Sequence, residues 1–181
     1  MRSFHHLLRA ALFGAFALSA SLSNARAQDE TLTIVAARAI LSADQAPLND
    51  VAIEVRHGRI VSIRAGAGRQ VLAAHPNDPD TIHIEAGTLM PGLIDTHVHL
   101  SAQTGRPWWG QAVQTDEMRA IIASRNARIM LMRGFTTVRD VGSPPLVGFA
   151  IRDAVRANTV PGPRILASGT PISTIGGHDD A

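Results

Sequence analysis

Three residue types are missing from this chain of 181 residues: cysteine, lysine and tyrosine. Without cysteine, disulfides and zinc–thiolate sites are excluded, and histidine, aspartate and glutamate are left as the metal-binding side chains. Without lysine, all 17 basic residues are arginines, and against 15 acidic residues they leave a net charge of only +2. The arginines are scattered and form no cluster that could follow a phosphate backbone, so we expect no nucleic-acid binding. A hydrophobic share of 45% is enough for a globular core.

Long apolar runs are also scarce, and the single one lies near the start of the chain. It extends from Ala10 to about Leu22, follows two arginines, and is succeeded by the small-x-small sequence Ala25-Arg26-Ala27. This arrangement is typical of a secretory signal peptide with its cleavage site. The alternative is an uncleaved membrane anchor, but the run is shorter than the ~20 residues that a spanning helix needs. We therefore predict a signal peptide at 1–27, a periplasmic or secreted location, and no membrane attachment after cleavage.

Residues 28–88 are rich in short β-prone runs and contain no strong helical period. His57-Gly58 between two such runs predicts a hairpin. Residues 65–80 are rich in glycine, alanine, asparagine, aspartate and proline, which predicts a loop around one short strand near Gln70–Ala73. The segment as a whole predicts a small β-sandwich lobe. Its main strands are expected at Leu32–Ala37, Val51–Arg56, Arg59–Arg64 and Thr81–Glu85.

Residues 89–181 change to an alternation of strands and helices, which predicts parallel βα units and an α/β fold. The first helix is expected from Asp116 to about Arg133, capped by Thr115 and ended by Gly134. Its predicted buried stripe consists of Met118, Ile121, Ile122, Ile129 and Met132. The other expected elements are strands at Leu93–Leu100, Phe135–Arg139 and Arg164–Ala167, and a helix at Leu146–Ala157.

His97 and His99 are the strongest candidates for a functional role. Two residues apart on a strand, they project from the same face, where neutral imidazoles can share one divalent cation. The alternative is a pair of hydrogen-bonded histidines in a half-buried strand. Asp95 lies on the same face, where it either orients an imidazole or bonds to nearby backbone.

Several motifs together resemble the amidohydrolase superfamily, and within it the imidazolonepropionase-like branch that includes secreted Xaa-Pro dipeptidases. They are AGTLMPGLIDTHVHL at 86–100, Asn126-Ala127-Arg128, RGFTTVRDVG at 133–142, PGPRILASG at 161–169, and TIGGH ending at His178. The resemblance implies a (β/α)8 TIM barrel and metal-dependent hydrolysis of C–N bonds in amides or dipeptides. It also implies His97 and His99 as ligands of a divalent metal, with zinc expected and one or two ions per site. In such a site a carboxylated lysine, two further histidines and an aspartate complete the ligand set.

Those further ligands are not in this sequence, which contains no lysine. Only 91 residues follow Met90, room for the first three βα units of a barrel that takes about 250 residues. The ending GHDDA also departs from the family pattern, which indicates truncation or a frame change near the end. We therefore expect an N-terminal portion of a longer enzyme, with its catalytic groups beyond the metal ligands unassigned. The alternative is a non-catalytic remnant or weak metal-binding fragment; assembly with another chain, or an oligomer, is a further possibility.

Three other features have weaker interpretations. His178 follows the third barrel strand on the side where such barrels bind substrate, and it is either a substrate contact or an ordinary loop histidine. Arg139 and Asp140 are expected to form an ion pair rather than to line the mouth of the site. Trp108 and Trp109 either wall a substrate pocket or seal the rim.

Overall fold

The computed structural model describes residues 31–105, 107, 109–110, 113–175 and 177. The chain divides into two compact units, the first ending at Pro91 and the second beginning at Gly92. The predicted signal peptide lies outside the described residues, as do Trp108 and His178. None of the helices in the described ranges has the length and apolar character needed to span a membrane.

The first unit is built on one four-stranded sheet. Its order is β3-β2-β1-β4, with β1–β2 and β2–β3 antiparallel and β1–β4 parallel. The predicted hairpin between β2 and β3 is confirmed, since His57 and Gly58 have φ angles of 50° and 71°, the positive values that a tight turn of type I′ requires. The strands are β1 (Thr31–Ala39), β2 (Leu48–Arg56), β3 (Arg59–Arg64) and β4 (Thr81–Ile84).

A helix, α1 (Gly68–Ala74), stands where a short strand was predicted near Gln70–Ala73, so that prediction was wrong. Its sequence GRQVLAA contains mostly good helix formers and a single β-branched residue. Asp50 fixes its start, because the Asp50 carboxylate accepts from the Arg69 N–H at 2.9 Å. Gly68 allows the helix to approach the sheet closely, since a Cβ there would lie 2.8 Å from Asp50 Oδ1 and 2.9 Å from Val35 Cγ1.

The core of the first unit lies on the sheet. Ala39, Val51 and Ile53 are buried and pack with Ile34, Leu48, Val55 and Leu89. Val51, Ile53 and Val55, three alternate residues of β2, belong to this cluster, as the period of two predicts. The described residues of this unit contain one sheet with a helix against it, and a two-sheet sandwich stays a prediction.

The second unit alternates parallel strands with helices. The three strands are ordered β5-β6-β7 and are parallel, so the α/β part of the prediction is confirmed, whereas the eight-stranded barrel stays a prediction. The elements are β5 (Leu93–Val98), α2 (Asp116–Met132), β6 (Phe135–Asp140), α3 (Val147–Arg156) and β7 (Arg164–Ala167).

Of the five residues in the predicted apolar stripe of α2, Ile122 is buried and the other four are exposed. Ile122, Ala123 and Ala127 are the buried residues of this helix, whereas Met118, Ile121, Ile129 and Met132 are 49%, 64%, 39% and 70% exposed. The helix therefore packs through a narrow, alanine-rich face, because small side chains allow it to lie close to its neighbours. These alanines join the core of the unit, which also contains Leu100, Val138, Val147, Ile151 and Ile165.

Candidate metal centre

His97 and His99 lie at the carboxyl end of β5, the first strand of the parallel sheet. Both side chains are exposed. Their ring centroids are 5.4 Å apart, and the ring planes are inclined at 71°. Two imidazoles whose nitrogens each lie ~2.0–2.1 Å from one tetrahedral ion have centroids about 5–5.5 Å apart. The observed spacing therefore fits two ligands of a single cation.

One hydrogen bond sets which nitrogen of His99 is free. Its Nδ1 lies 3.0 Å from the carbonyl oxygen of Gly142. Because a carbonyl only accepts, Nδ1 carries the proton and Nε2 keeps its lone pair. The bond thus orients the ring and leaves Nε2 free to bind a metal ion, an arrangement that is also common around metal-binding histidines.

Gly142 needs to be glycine for this contact. A Cβ at this position would lie 3.1 Å from both Cε1 and Nδ1 of His99 and 2.8 Å from Cγ of Pro171. Any side chain would therefore displace the imidazole or the loop that carries Pro171.

The strand is irregular just before the two histidines. The pairing of β5 with β6 shifts between Asp95 and Val98, and two side chains replace regular backbone bonds there. The Asp95 carboxylate accepts from the His97 backbone N–H at 3.0 Å, and Arg139 Nε donates to the Thr96 carbonyl at 2.7 Å. Of the two roles expected for Asp95, the structure thus shows the bond to backbone.

Asp140, at the end of β6, has a role that sequence reasoning missed. The predicted ion pair with Arg139 was wrong, because adjacent residues of a strand face opposite sides and Asp140 is only 1% exposed. Its carboxylate accepts from the Gly142 N–H at 3.2 Å and from the Ser143 hydroxyl at 2.8 Å. The Ser101 hydroxyl donates in turn to Ser143 Oγ at 3.2 Å.

Asn126 on α2 holds the loop that follows His99. Its amide nitrogen donates to the carbonyl oxygens of Leu100 and Ala102, at 2.8 Å and 2.9 Å. The motif around Asn126 was noted in the sequence, but its partners lie 24 and 26 residues earlier in the chain. Only the folded chain brings them together.

The described residues bring together two side chains that could hold a metal ion. In the described ranges, no group of three or more histidine, cysteine, aspartate or glutamate side chains is placed to hold an ion. His97 and His99 are therefore the pair that the structure brings together. Trp109 is 61% exposed in the loop after β5, and nothing tests the predicted role of His178.

Comparison with known proteins gives three kinds of match. Residues 88–180 match the model of the amidohydrolase family. The chain is 25% identical over 162 residues to the ochratoxinase of Aspergillus niger, covering 86% of this chain and 32% of that protein.

Solved structures are also similar. A Xaa-Pro dipeptidase with methionine bound in its active site matches with a TM-score of 0.70 and 32% identity, over 83% of this chain and 36% of that one. A prolidase complexed with N-methylphosphonate-L-proline matches with a TM-score of 0.66 and 30% identity, over 83% and 34%. The chain thus spans about a third of the length of these relatives.

Proposed function

The chain belongs to the amidohydrolase family, and from this premise we propose that it carries part of the active site of a metal-dependent hydrolase that cleaves C–N bonds. The observation that carries the proposal is the pair His97 and His99, with ring centroids 5.4 Å apart and one ring oriented by the Gly142 carbonyl. The names of the similar structures, a Xaa-Pro dipeptidase and a prolidase, support dipeptides or related amides as the substrate class.

His97 and His99 would hold a divalent cation, for which zinc suits a site with imidazole ligands. A cation bound there supplies Lewis-acid polarisation of a carbonyl and lowers the pKa of a water molecule. The chain's own residues prepare the ligands. The Asp95 carboxylate fixes the backbone at His97, and the Gly142 carbonyl holds the proton of His99 at Nδ1.

A second candidate, a weak metal-binding protein without catalysis, is favoured by one observation. The described residues bring two ligands together and not the three that a catalytic zinc site usually has. In this case a cation would be bound with most of its coordination left to water.

Metal binding by this pair is tested in the full chain by equilibrium dialysis with Zn²⁺ or Mn²⁺. We expect His97→Ala combined with His99→Ala to remove at least one bound ion per chain, because both ligands of that ion are lost. A matched control is His57→Ala combined with His75→Ala, which removes two exposed histidines of the first unit. We expect this control to leave the bound metal unchanged. The same metal content in the His97, His99 double variant as in the wild type would rule out their role as ligands.

A further inference from the structure

We propose that Asp140 is a positioning residue for His99. Its buried carboxylate binds the Gly142 N–H and the Ser143 hydroxyl, on either side of the peptide group whose carbonyl keeps the proton of His99 on Nδ1, so that Nε2 stays free for a cation. The inference rests on the proposed role of His99 as a metal ligand, but the position of the proton can be measured without any metal.

The contacts of the Asp140 carboxylate point to this role. Burying a carboxylate costs free energy unless hydrogen bonds compensate, and Asp140 is 1% exposed. Both of its oxygens accept bonds from the turn just after β6, one from the Gly142 N–H and one from the Ser143 hydroxyl. The carboxylate therefore acts on the turn that carries the carbonyl bonded to His99.

The Gly142 carbonyl belongs to a peptide group that is held on both sides. The carbonyl accepts from His99 Nδ1 at 3.0 Å, and the N–H of the same peptide group, on Ser143, donates to the Gly169 carbonyl at 3.0 Å. The preceding N–H, on Gly142, is the one that Asp140 binds. Rotation of this peptide group would therefore break bonds to two strand ends at once.

The network also reaches the loop on the other side of His99. Ser101, two residues after His99, is buried and donates to Ser143 Oγ. Asp140, Ser143 and Ser101 thus tie the turn after β6 to the loop after β5. This connection keeps the Gly142 carbonyl within hydrogen-bonding distance of the His99 imidazole.

Loss of the carboxylate should change the tautomer of His99. Without Asp140, the turn can rotate and expose an N–H instead of a carbonyl to the ring, which favours the form with its proton on Nε2. That form has no lone pair on Nε2 for a cation. We expect the Zn²⁺ affinity of the chain to fall about 10-fold to 100-fold, the usual cost of losing a partner that orients a metal ligand.

The test uses the full chain, free of metal, at about pH 8 where an ordinary histidine is neutral. Long-range ¹H–¹⁵N NMR spectra of the imidazoles distinguish the two tautomers, and His99→Gln identifies the His99 signals. We expect the Nδ1–H form in the wild type. Asp140→Val combined with Ser143→Ala should shift His99 toward the Nε2–H form; the second change removes a hydroxyl that would otherwise be left buried without its acceptor.

Two variants serve as matched controls. Ser143→Ala alone keeps the bond from Asp140 to Gly142, and Asp140→Asn offers an amide oxygen to the same N–H. We expect both to retain the Nδ1–H form, and a merely structural role for Asp140 would not produce this pattern. An unchanged tautomer and unchanged Zn²⁺ affinity in the Asp140→Val, Ser143→Ala variant would overturn the inference.

Gly142→Ala tests the same contact without altering the carboxylate, and it decides the question if the double variant does not fold. A Cβ there crowds the His99 ring, so we expect the Nδ1–H signal to be lost; its retention would overturn the inference. The experiments distinguish failure of the proposed metal site from failure of the positioning role of Asp140. A His99 tautomer that depends on Asp140, with metal binding that does not depend on His97 and His99, supports the positioning role and overturns the metal site.

Discussion

The Asn126 amide shows how one side chain can determine the geometry beside the two histidines. It is half-buried on α2 and donates to two carbonyls, those of Leu100 and Ala102, on either side of Ser101. This loop begins directly after His99. A side chain that satisfies two loop carbonyls stabilises the loop in one conformation, because each carbonyl would otherwise lose a partner.

We expect Asn126→Ala to lower the free energy of unfolding by about 1–3 kcal/mol, since two partly buried carbonyls lose their donor. Urea denaturation followed by circular dichroism measures the effect. Arg128→Ala is the control, because Arg128 is exposed on the same helix and its loss should change stability little. Equal unfolding midpoints for the two variants would show that the Asn126 bonds contribute nothing measurable.

At the scale of single residues, the sequence identified the candidate pair His97 and His99 but not the residues that support it. The spacing of His97 and His99 is local, and a strand's period of two places both on one face. The partner of His99 is Gly142, 43 residues later in the chain, and no local pattern predicts such a pairing. Asp140 was assigned to an ion pair with Arg139 because its burial could not be read from the local sequence. That burial depends on the helices that cover the sheet.

Helix ends that are fixed by residues nearby in the sequence were predicted correctly. Thr115 was predicted to cap α2, and its side chain accepts from the Met118 N–H at 3.3 Å. Gly134 was predicted to end the helix, and it has a φ of 91°, a conformation that glycine adopts without strain. Helix α1 was missed because it has only seven residues and its start is fixed by Asp50, 19 residues earlier. Such short helices are stabilised by tertiary contacts rather than by their own propensity.

The face of α2 was also predicted incorrectly, for a physical reason. Hydrophobicity alone favours the side with methionine and isoleucine, yet of the predicted residues only Ile122 is buried, beside Ala123 and Ala127. Close packing against a sheet selects for small volume as well as for apolar character. A pattern of hydrophobic residues does not distinguish the two faces when both are apolar.

For the start of α2 we expect Thr115→Ala to lower stability by about 1 kcal/mol, the typical cost of losing an N-cap side chain. Urea denaturation at neutral pH measures it. Thr115→Ser keeps the accepting oxygen and serves as the control, with an expected loss well below that of the alanine variant. A serine variant as unstable as the alanine variant would contradict the capping role.

The difference in the free energy of unfolding between Thr115→Ala and the wild type should become smaller at acidic pH. The pKa of Glu117 is lowered from 4.5 by a hydrogen bond from its own backbone N–H and by a second from the Thr115 side chain. A carboxyl whose pKa is lower in the folded state stabilises the fold above its unfolded pKa, and this contribution is lost as the pH falls through the folded value. The part of the Thr115 effect that acts through Glu117 therefore disappears in acid, while the bond to the Met118 N–H remains.

On the scale of the whole molecule, the chain contains two units, and the proposed ligands belong entirely to the second. The chain spans about a third of the length of its relatives, and among the described residues no three metal-binding side chains converge. The resemblance calls for a lysine in the completed ligand set, and the sequence has none. Membership of the family therefore does not by itself show a complete hydrolase site in these 181 residues.

We expect this chain of 181 residues, expressed alone, to hydrolyse dipeptides and simple amides no faster than background. Two imidazoles leave most of a cation's coordination to water, whereas catalytic zinc sites usually have three protein ligands. The groups of an active site act together, so the absence of several of them abolishes turnover rather than reducing it modestly. The measurement is an assay of the purified chain with Zn²⁺ or Mn²⁺, beside the variant that combines His97→Ala with His99→Ala. Equal and negligible rates are the expected result, and clear turnover that disappears in the variant would show that the chain, alone or as an oligomer, assembles a complete site.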